Sequence, residues 1–209
     1  MFRKVLIVIV FIIFILVSGF DKAQEDTYDK SIEDSKKTID SLVGIIVNKT
    51  NNLDKNAITF IEKAHKISKQ ADNFAMPEIY LTYGIYWKNF NDYYKSADYL
   101  VKALEMFEEK GDKFGVATAY KHLGETYRAS TDFDKALNNL FKAKDIFIEI
   151  SDSLSLASVY NRIAAVYYEK YTDHAYKESI KYAEKSLELA KKNEYNSLII
   201  NNYNVLGSN

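Results

Sequence analysis

The sequence predicts an all-α fold, a solenoid built from antiparallel helix pairs. The chain has one proline and seven glycines in 209 residues, so long stretches contain no helix breaker. It also repeats itself every 40 residues, as the spacing of Tyr80, Tyr120 and Tyr160 shows. A fixed period of this length is typical of repeat proteins, in which each unit packs only on its neighbours.

Three further sets of residues keep the same 40-residue step over three copies. One set is aromatic, one is small and one is acidic: Trp87, Tyr127 and Tyr167; Gly84, Gly124 and Ala164; and Asp72, Asp112 and Asp152. Four independent sets in one register indicate duplication of a single structural unit.

The second copy shows that one unit contains two helices. Residues 116–127 have apolar side chains at i, i+3, i+4 and i+7, the stripe of an amphipathic helix. Residues 130–132 form a turn, and a second stripe follows over 133–147. The helices must cross where the side chains are small, because larger ones would push their axes apart. The small residues of this copy are Gly124, Ala136 and Ala143.

These units resemble the tetratricopeptide repeat family. In the second copy the resemblance rests on a small residue in the first helix, an aspartate–aromatic–alanine turn and a second-helix alanine: Tyr120, Leu123, Gly124, Tyr127, Asp132, Phe133, Ala136 and Ala143. The preceding copy has Tyr80, Tyr83, Gly84, Trp87, Asp92, Tyr93, Ser96 and Ala103 in the same places. The family's usual period is about 34 residues, and HEAT and armadillo arrays of about 40–47 are the rival solenoids. The two-helix unit and its small residues favour the tetratricopeptide assignment. The resemblance implies a right-handed superhelix of about three to four units plus a partial C-terminal one.

The third copy keeps Tyr160, Ala164 and Tyr167 and then departs from the period. Ser186 follows Ala143 by 43 residues, three more than the period, which predicts a longer turn over residues 171–175. The repeat domain is expected over 36–209, after a polar linker over 20–35. The predicted units are 36–71, 72–111, 112–151 and 152–194, with a partial one over 195–209.

The first 19 residues predict export. Arg3 and Lys4 precede an unbroken apolar run over 5–17, and the small residues Ser18 and Gly19 follow it. This order describes a secretory signal peptide, with cleavage expected before Phe20. The alternative is an uncleaved membrane anchor, although thirteen helical residues span only about 20 Å of a hydrocarbon core of about 30 Å. The expected location is therefore periplasmic or extracytoplasmic, or the inner membrane if the segment is retained.

Composition and motifs point away from catalysis and from nucleic acid. The 28 Lys and Arg residues nearly balance 29 Asp and Glu residues, for a formal net charge of −1, whereas nucleic-acid surfaces need excess positive charge. The chain has no cysteine and no glycine-rich phosphate loop. Its histidines, His65, His122 and His174, lack metal-ligand spacing within a helix. We therefore expect a protein that is not an enzyme and that uses no metal or cofactor.

The resemblance also implies a binding face. In the family, outward positions of the first helices line a concave groove, and the corresponding residues are Leu81, Ile85, Lys88, Lys121, Glu125, Arg128, Asn161, Ala165, Tyr168, Asn201 and Asn204. Lys121 and Arg128 are seven residues apart and share one face of a helix, as a carboxylate clamp requires, but Glu125 lies between them. The expected ligand is a peptide or a helix of a partner protein.

Two functions remain open at this point. The first is an extracytoplasmic protein–protein interaction scaffold. The second is a truncated or split sensory input module for signal transduction, because an export signal followed by 40-residue repeats resembles the sensory half of bacterial sensor histidine kinases and regulators. The last predicted helix has no second helix to cover it, so self-association or an output domain is expected at the C-terminal end.

Overall fold

The structure is a computed structural model that describes residues 30–39, 41, 42, 45, 46, 49 and 54–195. The described residues between 30 and 49 are helical, and seven helices follow them, each packed on the next along the chain. They are α1 Ala57–Gln70, α2 Met76–Asn89, α3 Tyr93–Glu109, α4 Lys113–Ala129, α5 Phe133–Glu149, α6 Ser153–Glu169 and α7 Asp173–Lys192. The described residues contain no strand, and the arrangement is the all-α solenoid of helix pairs that the sequence predicts.

The turns between helices recur every 20 residues, half of the 40-residue period. Each turn contains a residue with positive φ: Asn91, Gly111, Thr131, Ser151 and Tyr171. The next residue is an N-cap whose side chain accepts a hydrogen bond from the backbone N–H three positions later: Asp92, Asp112, Asp132, Asp152 and Thr172. The left-handed residue ends one helix and the cap begins the next. Each unit therefore consists of two similar half-units.

The turn between α1 and α2 does not follow this pattern. Asp72 belongs to the same sequence set as Asp112 and Asp152, but it has a φ of 51° and caps no helix. The residue before α2 is Ala75, also left-handed, and it makes no side-chain cap. Asp72 therefore shares the sequence spacing of Asp112 and Asp152 but not their role as an N-cap.

The prediction of a longer turn after α6 is wrong. α7 begins at Asp173, directly after Thr172, so this turn has the same length as the others. The three extra residues instead lengthen α7 to 20 residues, against 17 in α5. Ser186 is buried on α7, as Ala143 is on α5, and its hydroxyl donates to the Ala157 carbonyl at 2.6 Å. The shift of 43 residues is therefore real, because the extra residues add almost one helical turn before the crossing.

The two helices of a unit approach most closely at the glycines of α2 and α4. A Cβ atom on Gly124 would lie 2.6 Å from Leu140 Cγ and 3.1 Å from the Ala136 carbonyl oxygen. The repeated small residues are all buried: Gly84, Ala103, Gly124, Ala136, Ala143 and Ala164. The repeated aromatic residues are half-buried beside them: Tyr80, Trp87, Tyr120, Tyr127, Tyr160 and Tyr167.

Several sequence predictions fall on residues outside the described part of the chain. These are the signal segment over 1–19, most of the linker over 20–35 and the final unit beyond residue 195. Within the described part, none of the helices combines the length and the apolar character needed to cross a membrane.

Candidate functional site

The first helices of successive units form the inner layer of the solenoid. The backbone of α2 lies against that of α4, and the backbone of α4 against that of α6. Successive second helices in the described part of the chain are farther apart, and α5 and α7 meet through side chains, with the Phe141 and Tyr182 rings 6.0 Å apart. Neighbouring units are closest on the inside of a curved array, so the layer whose helices lie closer together is the concave one. We call the surface formed by α2, α4 and α6 the inner face.

Glu125 connects three successive helices of the inner face. Its carboxylate lies 2.7 Å from Lys88 Nζ on α2 and 2.8 Å from Arg162 Nε on α6. His122 Nδ1, one turn earlier on α4, is 3.3 Å from the same carboxylate. The Glu125 side chain is only 9% exposed. A carboxylate this buried requires nearby positive charge, and it receives that charge from the units on both sides.

The protonation states of this cluster follow from burial and charge. Burial alone would raise the pKa of Glu125, but the contacts with His122, Lys88 and Arg162 outweigh it and hold that pKa well below its usual range. Glu125 is therefore ionised at neutral pH. Burial lowers the pKa of His122, so its imidazole is neutral there.

Lys121 and Arg128, the two residues predicted to clamp a carboxylate, differ in their surroundings. Arg128 is paired with Glu169 of α6. Lys121 is half-buried and has no ion-pair partner among the described residues. Burial lowers the pKa of Lys121; Glu125 opposes this effect, and the charges of Arg162 and Lys88 add to it. Lys121 is therefore the inner-face cation whose charge is least compensated.

The centre of the inner face is positively charged, although the whole chain is not. Four cations, Lys88, Lys121, Arg128 and Arg162, face the two carboxylates of Glu125 and Glu169, which leaves a charge of +2 over these six side chains. Asp152, the N-cap of α6, adds a weaker attraction for Lys121. Three of the cations line an open cleft of about 270 Å³ that Glu125 also lines: Lys88, Arg128 and Arg162.

The remaining predicted groove residues are less accessible than expected or cannot be placed. Leu81 is half-buried and packs against the core of α3 and α4, and Asn161 is buried. Ile85, Ala165 and Tyr168 are half-buried on the inner helices. Asn201 and Asn204 lie outside the described residues.

Arg162 is the functional candidate that the sequence did not predict. A signal for it exists in the numbering, because Lys88, Glu125 and Arg162 are separated by equal steps of 37 residues. This step is one 40-residue period less about one helical turn. It places three side chains of alternating charge next to one another across adjacent helices.

Comparison with known proteins supports the fold. A family model described as tetratricopeptide repeat matches residues 116–192. Residues 116–192 therefore carry tetratricopeptide repeats. Tetratricopeptide arrays generally serve as non-catalytic scaffolds that bind proteins on their concave surfaces.

A solved structure shares the solenoid architecture beyond the matched repeats. It is described as the crystal structure of BtubC (BKLC) from P. vanneervenii, and it aligns with 86% of this chain and 84% of its own, at a TM-score of 0.56. The two sequences are 16% identical, so the likeness concerns the fold alone. No curated protein sequence matches this chain. The predicted tetratricopeptide solenoid is therefore confirmed.

Proposed function

We propose that this protein is a non-catalytic interaction scaffold that binds an acidic segment of a partner protein on its inner face. The observation that supports this proposal is the position of Lys121, a half-buried ammonium group with no ion-pair partner among the described residues. Partial burial of a charge that forms no ion pair is unfavourable, and a carboxylate of the partner would relieve it. The net charge of +2 over the central side chains also favours an anionic partner over a basic one.

The shape of the inner face favours an extended peptide or a helix over a small molecule. The charged cleft is open rather than enclosed and has a volume of about 270 Å³. Its charged lining residues come from α2, α4 and α6, and Asn91 and Tyr93 of the turn into α3 complete the lining, so a ligand that contacts all the charged groups must reach across three units. Many modest contacts along such a surface suit a segment of another protein.

Photo-crosslinking in the native cell tests where the partner binds. A photoreactive amino acid replaces Ile85 on the inner face or, as the matched control, Val101 on the outer helix α3. We expect a discrete protein adduct from position 85 and none from position 101. The identified partner, once purified, should bind the purified full chain. Adducts from position 101 alone, or equally from both positions, would contradict binding on the inner face.

We also propose that the protein functions outside the cytoplasm, on the evidence of the basic residues and the apolar run at its N-terminus. N-terminal sequencing of the chain recovered from the producing cell tests this. We expect the recovered chain to start at Phe20, while an intact Met1 in the membrane fraction would indicate the retained anchor. Recovery of the intact chain from the cytoplasmic fraction would contradict export.

A further inference from the structure

We propose that Glu125 is an internal competitor of the acidic partner, because its carboxylate occupies the two cations, Lys88 and Arg162, that a partner carboxylate would otherwise bind. This inference rests on the proposed function, since it assigns a regulatory role to a residue of the same face. It makes Glu125 a residue that limits affinity, where the sequence suggested a groove residue that contacts the ligand.

The position of Glu125 supports competition. Its carboxylate lies in the lining of the cleft, at 2.7 Å from Lys88 Nζ and 2.8 Å from Arg162 Nε. The two cations are more accessible than the acid, with side chains 20% and 42% exposed against 9% for Glu125. A ligand carboxylate can therefore reach Lys88 and Arg162 from solvent, while Glu125 holds them from beneath.

The charges at the centre of the face show how an acidic ligand would approach. Lys88, Lys121 and Arg162 carry three positive charges around the single negative charge of Glu125. Lys121 has no ion-pair partner of its own among the described residues, so an incoming carboxylate can bind it without displacing an existing ion pair. Closer approach brings that carboxylate towards Lys88 and Arg162, where it must share them with Glu125. Repulsion between the two carboxylates then lowers the affinity.

The partner chemistry that follows is a peptide segment with two or more adjacent carboxylates. One carboxylate would be satisfied by Lys121, and another would compete with Glu125 for its two cations. A single isolated carboxylate would gain only the contact with Lys121. A hexaglutamate peptide is therefore a suitable probe of this arrangement.

Replacement of Glu125 tests the proposal with the full chain and fluorescently labelled hexaglutamate. Glu125→Gln keeps the shape of the side chain and raises the charge of the four central groups from +2 to +3. We expect the dissociation constant to fall about 5- to 10-fold at about 50 mM NaCl, and the gain to shrink at about 500 mM NaCl because salt screens exposed charges. Glu125→Asp keeps the charge but shortens the side chain, so we expect binding to tighten about 2-fold as its contacts with Lys88 and Arg162 weaken.

The control separates a local effect from a change in net charge. Glu105→Gln changes the chain's charge by the same amount at an exposed position on the outer helix α3, and its affinity is expected to stay within about 2-fold of the unmodified chain. If the unmodified chain binds hexaglutamate and neither Glu125 variant binds more tightly, internal competition is disproved and the proposed acidic-partner function stands. If neither the unmodified chain nor Glu125→Gln binds the peptide, both proposals fail. If Glu125→Gln does not fold, the affinity of Glu125→Asp for hexaglutamate decides whether internal competition occurs.

Discussion

Reversing two charges on the inner face, with Lys121→Glu and Arg128→Glu together, is expected to abolish binding of an acidic partner and to leave the helical content unchanged. The charge over the six central side chains changes from +2 to −2, so attraction becomes repulsion. We expect affinity for hexaglutamate to fall at least about 50-fold at low salt. Fluorescence anisotropy measures the affinity, and circular dichroism measures the helical content.

The matched control for this variant reverses two exposed lysines in the outer layer, Lys66 on α1 and Lys177 on α7. It changes the net charge of the chain equally, and its affinity should remain within about 3-fold of the unmodified chain because distant exposed charges are screened. Undiminished binding by the inner-face variant would contradict the proposed role of these cations.

Gly124→Leu is expected to lower the free energy of unfolding by about 1–3 kcal/mol. The new side chain would meet Leu140 Cγ at 2.6 Å from its Cβ atom and the Ala136 carbonyl oxygen at 3.1 Å, and the backbone carbonyl cannot move aside without separating α4 from α5. Urea unfolding followed by circular dichroism measures the change.

Glu105→Leu is the matched control for Gly124→Leu, because it places the same side chain at an exposed position on α3. We expect its free energy of unfolding to change by no more than about 0.5 kcal/mol. Equal stability of the Gly124→Leu variant and the unmodified chain would mean that α4 and α5 do not cross at this residue.

The repeat architecture was predictable because its packing contacts recur at fixed sequence steps. Each unit needs a small residue where its helices cross. Such residues occur at steps of 40, at Gly84, Gly124 and Ala164. The extra residues in the third unit were also visible, as the 43-residue step from Ala143 to Ser186. The sequence does not show where these extra residues lie, because the spacing between two buried positions is the same whether a turn or a helix is lengthened. Only the helical structure directly after Thr172 settles it.

The sequence also contains the half-period, in the spacing of the N-cap aspartates. Asp92, Asp112, Asp132 and Asp152 are 20 residues apart, and each accepts a hydrogen bond from a backbone N–H at the start of a helix. The left-handed residues before them are chemically diverse, and the only glycine among them is Gly111. A search for glycine or proline as turn markers therefore finds little at these positions.

The charged cluster was only partly predictable. Lys88, Lys121, Glu125 and Arg128 follow from outward positions on single helices, but their pairing depends on how neighbouring helices are staggered. Along α4 alone, Glu125 lies between Lys121 and Arg128 and would weaken their attraction for a carboxylate. In the structure its carboxylate instead contacts Lys88 and Arg162 of the adjacent units.

The most direct test of inner-face binding is to map where an acidic peptide contacts the chain. Hexaglutamate carrying a benzophenone group is bound to the full chain and irradiated, and the attachment sites are located by mass spectrometry. We predict adducts on α2, α4 and α6 around Lys88, Lys121 and Arg162, which an excess of unlabelled peptide removes. Adducts confined to the outer helices α3, α5 and α7, or adducts that unlabelled peptide does not reduce, would contradict binding on the inner face.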